Sequence, residues 1–275
     1  MINQTAIQKD RSIQVSRIRR SSSFVMKRPH YHSYYEIYYL LSGDCKMFIN
    51  QDIYHLEPGD IAIIPPLKVH KALYEPDWEA ERFCVYFSKE AVSPFFNHCG
   101  KEAFEQIISE PVLTVPEDRR SCLDSLFGQI QDEEKQGDIY CRIQQISLLC
   151  RILVLLGRCQ GTDREVRALE HSEEAVVRAA RYMNAHYEEA LTLKDMALLV
   201  NMSPTYFSKK FKNSTGLCFK EYLNYIRVQK ASDLLRNTDW TVTAVAMACG
   251  FSDGNYFGDV FRRLTGASPR EYRKG

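Results

Sequence analysis

The chain has 275 residues, of which 45% are apolar, enough for two domains with proper cores. Its formal net charge is +1, and none of its nine cysteines forms a CxxC pair, so reduced thiols are expected. No run of ~18 apolar residues exists, which excludes an apolar membrane-spanning helix, and the N-terminal MINQTAIQKDRSIQ has no apolar signal core; a cytoplasmic protein is expected.

In chain order, the first ~90 residues read as short strands rich in Tyr, Ile, Val and Phe. They are broken by turn signals at Ser42–Asp44, Asn50–Asp52, Glu57–Asp60 and Glu75–Trp78, a spacing that predicts a barrel or sandwich. From Glu117 the apolar period becomes helical, giving two helices, the second with Ile139, Ile146 and Leu153 seven apart and Ile143 and Cys150 beside them. So wide an apolar stripe either packs on the barrel or joins two copies of the chain. The polar stretch 158–174 reads as a linker, and everything after it looks helical. The expected fold class is therefore α+β in two domains: a β-barrel over 1–115, a helical segment over 116–160 that could serve dimerisation, a linker over 161–172 and an all-α domain over 173–275.

Charge divides along the same boundary. Residues 1–172 hold 21 Lys and Arg against 24 Asp and Glu, whereas 173–275 hold 15 against 11. Seven basic and two acidic residues fall between Asn201 and Arg236, a modest footprint for a polyanion.

The last hundred residues contain a repeat: Tyr206, Phe207, Phe211, Thr215, Gly216 and Tyr222 recur fifty residues later as Tyr256, Phe257, Phe261, Thr265, Gly266 and Tyr272. Each copy reads as helix, tight turn, helix. In the first, Thr192 caps a helix, Asn201 takes the turn, and a second helix starts with Ser203 as N-cap and Pro204 at its first position. Phe207 and Phe211 face inward, leaving Thr205, Ser208, Lys209 and Lys212 as an outward polar stripe. In the second copy Gly250 is the turn residue and the stripe is Asn255, Gly258, Asp259 and Arg262. Between the copies, 219–238 reads as one long helix, a rigid spacer between two elements of major-groove dimensions.

The segments NMSPTYFSKKFKNSTGLCFKEYLNYIRVQKA and VAMACGFSDGNYFGDVFRRLTGASPREYR resemble the paired helix-turn-helix units of the AraC/XylS family of bacterial transcription regulators. The opening stretch, roughly residues 15–90, resembles the cupin-type sensing barrel that many members carry. The resemblance implies base-edge contacts at Thr205, Ser208 and Lys209 in the first unit and at Gly254, Asn255, Gly258 and Asp259 in the second. Asp259 stands where the family usually has a basic residue, which suggests that the second unit positions more than it specifies. It also implies double-stranded DNA, a small-molecule effector, RNA polymerase and a second copy of the chain as partners, with no membrane partner and no catalysis; activation of transcription is the expected mode.

One motif could instead belong to an enzyme. RPHYHSYYEIYYLLSG places His30, His32, Tyr34, Glu36 and Tyr38 on one face if residues 30–38 form a strand, and His70 follows in GDIAIIPPLKVH. The spacings resemble the two metal-binding motifs of cupin enzymes, with Leu67 where such an enzyme usually has Gly. Two readings follow. His30, His32, Glu36 and His70 could hold Fe, Mn, Ni or Zn in a metal-dependent cupin enzyme such as a dioxygenase or isomerase. Otherwise these groups hydrogen-bond an organic effector, a sugar or small aromatic metabolite, between Tyr34 and Tyr38, with no cofactor. The C-terminal repeat favours the second reading.

Overall fold

A computed structural model describes residues 12–20, 32–74, 79–161, 169 and 171–274. The chain divides into two compact units, Met1–Ala168 and Leu169–Gly275.

Among its described residues the first unit has two sheets. The larger has the order β1 (Ile13–Arg20), β7 (Ala80–Phe87), β2 (Tyr35–Ser42), β5 (Asp60–Ile64), β8 (Val112–Thr114); the smaller has the order β4 (Asp52–Leu56), β3 (Cys45–Ile49), β6 (His70–Leu73). All pairings are antiparallel, with Tyr38 opposite Cys84 and Glu36 opposite Tyr86 across β2 and β7. Strand alternation gives the large sheet two different faces. Ile37, Tyr39, Phe83, Val85 and Phe87 look outward and are covered by helices, whereas Tyr34, Tyr38, Leu40, Cys84 and Tyr86 look inward and meet Cys45, Met47 and Ala72 of the small sheet.

The covering helices are α1 (Ser93–Cys99), α2 (Lys101–Ser109), α3 (Glu117–Gln136) and α4 (Cys141–Gly157). The first two lie between the predicted strands and the helical period that starts at Glu117; they are short, and Gly100 (φ 83°) divides them. The strand expected over 30–38 begins only at Tyr35, so His32 and Tyr34 stand in the segment leading into β2. His30 lies outside the described residues.

The wide stripe on the second long helix resolves into two. Leu149, Ile152, Leu153 and Leu156 are fully buried in the core under the large sheet, so Leu153 is a packing residue and not part of an outer face. Ile139 (86% exposed), Tyr140 (64%) and Ile143 (62%) remain open, continued by half-buried Ile146, Cys150 and Val154. Ile139 and Tyr140 precede the helix, in a turn that Asp138 closes by accepting the Tyr140 N–H at 2.8 Å.

Among its described residues the second unit has seven helices: α5 (His171–Ala185), α6 (Leu193–Leu199), α7 (Pro204–Thr215), α8 (Phe219–Asn237), α9 (Val242–Ala248), α10 (Gly254–Thr265) and α11 (Pro269–Lys274). The start of α5 at His171 falls inside the expected linker. Its centre is α8, whose Val228, Ala231 and Leu235 pack against Val245, Phe257 and Phe261 of the second repeat.

Candidate nucleic-acid interface and sensor site

The two repeats fold alike because the same local chemistry recurs in each. Thr192 caps α6 reciprocally with Asp195, and Thr241 caps α9 by accepting the Ala244 N–H at 3.1 Å. The turn then needs one left-handed residue, supplied by Asn201 (φ 55°) and Gly250 (φ 77°), two residue types that tolerate that region. It is closed in both copies by a backbone bond to the preceding helix, Met202 N–H to the Ala197 carbonyl at 2.9 Å and Phe251 N–H to the Ala246 carbonyl at 3.0 Å. Ser203 then caps α7 and Asp253 caps α10, accepting the N–H groups of Tyr206 and Tyr256. Inside, Phe211 meets Tyr222 edge-on at 5.3 Å and Phe261 meets Tyr272 at the same distance. The Thr215 and Thr265 hydroxyls donate back to the Phe211 and Phe261 carbonyls.

This frame fixes the direction of each second helix. Phe207, Phe211, Phe257 and Phe261 are fully buried. On the opposite side of α7, Ser203, Pro204, Thr205, Lys209 and Lys212 are exposed and Ser208 is half-buried; on α10, Gly254, Asn255, Asp259 and Arg262 are exposed and Gly258 is half-buried. Both outer stripes start at a helix N-terminus, the end that enters a major groove in helix-turn-helix proteins. The 19-residue α8 spans ~28 Å at ~1.5 Å per residue, on the scale of the ~34 Å groove repeat. Two residues of α8 anchor it, Asn224 to the second repeat and Arg227 to the segment between α5 and α6. Asn224 donates to the Tyr256 hydroxyl at 2.8 Å, and Arg227 donates to the Tyr187 carbonyl at 2.7 Å and the Glu189 carbonyl at 2.8 Å while lying under Gly250.

In the first unit, His32, Glu36 and His70 come together inside the barrel, all buried. Each imidazole has its Nδ1 against a backbone carbonyl, His32 on Tyr34 at 2.8 Å and His70 on Lys68 at 2.9 Å. A carbonyl only accepts, so both Nδ1 atoms carry hydrogen and both Nε2 atoms face the Glu36 carboxylate, at 3.0 and 3.1 Å. Burial alone would raise the Glu36 pKa, but hydrogen bonds from His32 and His70 outweigh it and hold the carboxyl well below the usual carboxylate range. Leu67 adopts φ 62°, the conformation that Gly would take there, and its N–H donates to the His32 carbonyl at 2.7 Å. The Leu-for-Gly departure therefore leaves the turn intact. Tyr34 stacks on the His32 ring at 4.2 Å.

This donor set suits a transition metal: two Nε2 atoms and a carboxylate oxygen lie within 4.8 Å of one another, with both Nδ1–H groups anchored as ligating histidines usually are. His32, Glu36 and His70 would hold such an ion, which would supply a Lewis-acid anchor for an effector oxygen. Tyr38 is further along the same face, its hydroxyl 3.0 Å from that of Tyr74. Arg82 and Cys84 share that interior; the alternation in Ala80–Phe87 would have revealed both, but an apolar strand signal masked them.

The AraC-like ligand binding domain profile matches residues 14–149, and the helix-turn-helix domain profile matches residues 196–275. The chain belongs to the AraC/XylS family of transcription regulators. It is 29% identical to the Escherichia coli K12 HTH-type transcriptional regulator YijO over 80% of this chain and 74% of that one. It is 32% identical to the transcriptional activator RhaS of Enterobacter sp. strain 638 over 54% of this chain and 52% of RhaS. It is 40% identical to the regulatory protein PocR of Salmonella typhimurium, over 41% of this chain and 37% of PocR. Thus the chain spans about half or less of the length of the last two relatives. Among solved structures, the DNA-binding domain of AdpA in complex with a target DNA is 30% identical over 38% of this chain and 92% of that one, with a TM-score of 0.35. As a member of the family, the chain combines a ligand-binding domain with a DNA-binding domain. Among the described residues, no helix is long and apolar enough to cross a membrane.

Proposed function

We propose that this regulator binds its operator through the exposed stripes of α7 and α10 and that a small organic effector in the barrel controls that binding. The observation that carries the reading is the matched pair of capped turns, which present Ser203, Pro204, Thr205, Ser208, Lys209 and Lys212 from one helix and Gly254, Asn255, Gly258, Asp259 and Arg262 from the other. Lys209 is the strongest base reader in this arrangement, since Lys and Arg hydrogen-bond guanine O6 and N7. The effector site comprises His32, Tyr34, Glu36, Tyr38 and His70, together with His30. The exposed apolar row Ile139, Tyr140, Ile143 and half-buried Ile146 is the homodimer face. The protein works in the cytoplasm, without catalysing a reaction, as an activator that engages RNA polymerase.

The test is selection of bound fragments from genomic and randomised DNA, with wild type and Lys209→Ala in parallel. Wild type should enrich sites carrying two motifs about one helical turn apart. Lys209→Ala should lose base preference in one motif, at a cost of ~1–3 kcal/mol. Enrichment of no common motif would refute sequence-specific binding.

A further inference from the structure

The barrel interior contains a cation that the site described so far does not use. Arg82 sits on β7 opposite Leu40, on the inward face with Ala80, Cys84 and Tyr86, and is only 5% exposed. Its guanidinium lies over the Tyr38 ring, 5.0 Å from the centroid. Its Nη1 contacts the Cys84 sulfur, and its buried Nε has no hydrogen-bond partner among the described residues. The groups that act on its charge are thiol and phenols, namely Cys84, Tyr74, Tyr38 and Tyr86. None of these groups is a carboxylate, and the hydroxyls of Tyr38 and Tyr74 lie 3.0 Å from each other. Glu36, which accepts from the Cys84 thiol at 3.2 Å, already faces two imidazoles.

A buried guanidinium with no ion pair among the described residues is costly, and a buried N–H with nothing to donate to is a place for an acceptor. We infer that Arg82 forms an anion subsite that receives a carboxylate of the effector, with the Tyr38 ring as the apolar wall beside it. This rests on the barrel being the effector site, and it narrows the effector class to organic acids such as sugar acids or aromatic acids. A carboxylate fits better than a phosphoryl group. A guanidinium edge matches its two oxygens, and one fixed positive charge balances one negative charge, whereas a phosphate brings nearly two.

The test uses the full chain and the carboxylate alone. The unfolding midpoint is followed as chloride is exchanged for acetate at constant ionic strength, with acetamide as the uncharged isostere, inorganic phosphate as the other anion, and Arg82→Met as the variant. Acetate should raise the midpoint of wild type, acetamide should not, and the apparent acetate affinity should fall at least tenfold in Arg82→Met. Without ligand, Arg82→Met should be at least as stable as wild type, because it removes an uncompensated charge. If Arg82→Met does not fold, or is less stable in the absence of ligand, Arg82 is a structural cation and the proposal falls. Equal shifts by acetate and acetamide, no acetate shift, or a shift by phosphate alone would also overturn it. Failure of the parent reading looks different: acetate would still bind through Arg82, but operator affinity would be unchanged by acetate and by every barrel variant.

Discussion

Replacing Gly250 by Ala tests whether the turn between α9 and α10 holds the second reading helix. Two penalties apply. Gly250 has φ 77°, and moving an L-residue into the left-handed region costs ~1–2 kcal/mol. A Cβ there would also lie 2.7 Å from the Glu188 carbonyl oxygen, 2.9 Å from the Tyr187 carbonyl oxygen and 2.9 Å from the Arg227 guanidinium. Two of these neighbours are backbone, and Arg227 is itself bonded to the Tyr187 and Glu189 carbonyls, so relief requires the α5 end and α8 to move together. Overpacking of this kind costs ~1–3 kcal/mol. Gly250→Ala should therefore destabilise the C-terminal unit by ~2–5 kcal/mol.

Two controls separate the terms. Gly250→Asn keeps the clash and relieves much of the conformational strain, because Asn tolerates positive φ. Asn201→Ala, at φ 55° in the first repeat, should carry the strain of ~1–2 kcal/mol. Denaturant unfolding of the full chain, read at a probe of the C-terminal unit, gives the three values, and operator binding reports the consequence. Gly250→Ala should weaken contacts to one half of the site before the other. If Gly250→Ala is no less stable than Asn201→Ala, the close approach to Tyr187, Glu188 and Arg227 has no energetic weight and the reasoning fails.

Asp259→Arg exchanges an exposed acid on the α10 stripe for a base; it should strengthen operator binding and steepen its salt dependence by about one phosphate contact, and an unchanged slope would place residue 259 away from the backbone. Charged substitutions at Ile143 and Ile146 should give a folded monomer by light scattering, whereas Leu153→Ala should cost ~2–5 kcal/mol of stability without changing a folded dimer; misfolding of the first pair would assign that row to the core. Protein purified without added metal should contain less than one equivalent of transition metal if both Nε2 atoms carry a second ring hydrogen and donate to Glu36, since a metal ion would take the same positions; a full equivalent lost in Glu36→Gln would make the triad a metal centre. Because the folded Glu36 pKa is depressed, its stabilisation is present above the unfolded value of ~4.3 and is lost as pH falls through the folded value, so acid titration of wild type should show a destabilising step that Glu36→Gln lacks.

Much of the C-terminal unit was legible because its determinants are local. Caps at Thr192 and Ser203, left-handed turns at Asn201 and Gly250, and the Phe pairs four apart each act within a few residues, and the fifty-residue repeat tested the pattern twice. The α10 cap at Asp253 is equally local, although the glycine that follows it makes a weaker helix-start signal than the Ser203–Pro204 pair. The barrel was harder. Which histidine meets Glu36 depends on β6 pairing with β3, a long-range register that the spacing of His70 does not encode. A stripe at helical spacing likewise cannot say how much of it another layer will cover, which is why the stripe through Leu153 admits both barrel packing and a contact between copies, and Leu153 is core.

Strand β2 joins the two faces of the first unit. Its even positions, Glu36 and Tyr38, carry the polar groups of the interior; its odd positions, Ile37 and Tyr39, look to the helices. Tyr39 stacks on Phe127 of α3 at 5.2 Å and donates its hydroxyl to Asp124 at 2.7 Å. A ligand that shifts β2 by drawing on Glu36 or Tyr38 therefore acts directly on α3, which packs against α4 and its open row Ile143 and Ile146. Proximity alone moves no equilibrium, however. An effector biases the helical hairpin only to the extent that it binds one arrangement of β2 more tightly than another, and a hundredfold preference amounts to ~2.7 kcal/mol. The loss of one hydroxyl–carboxylate bond at Tyr39 is of that order, ~1.5–3 kcal/mol, so this single contact is large enough to couple the interior to the Ile143 and Ile146 row.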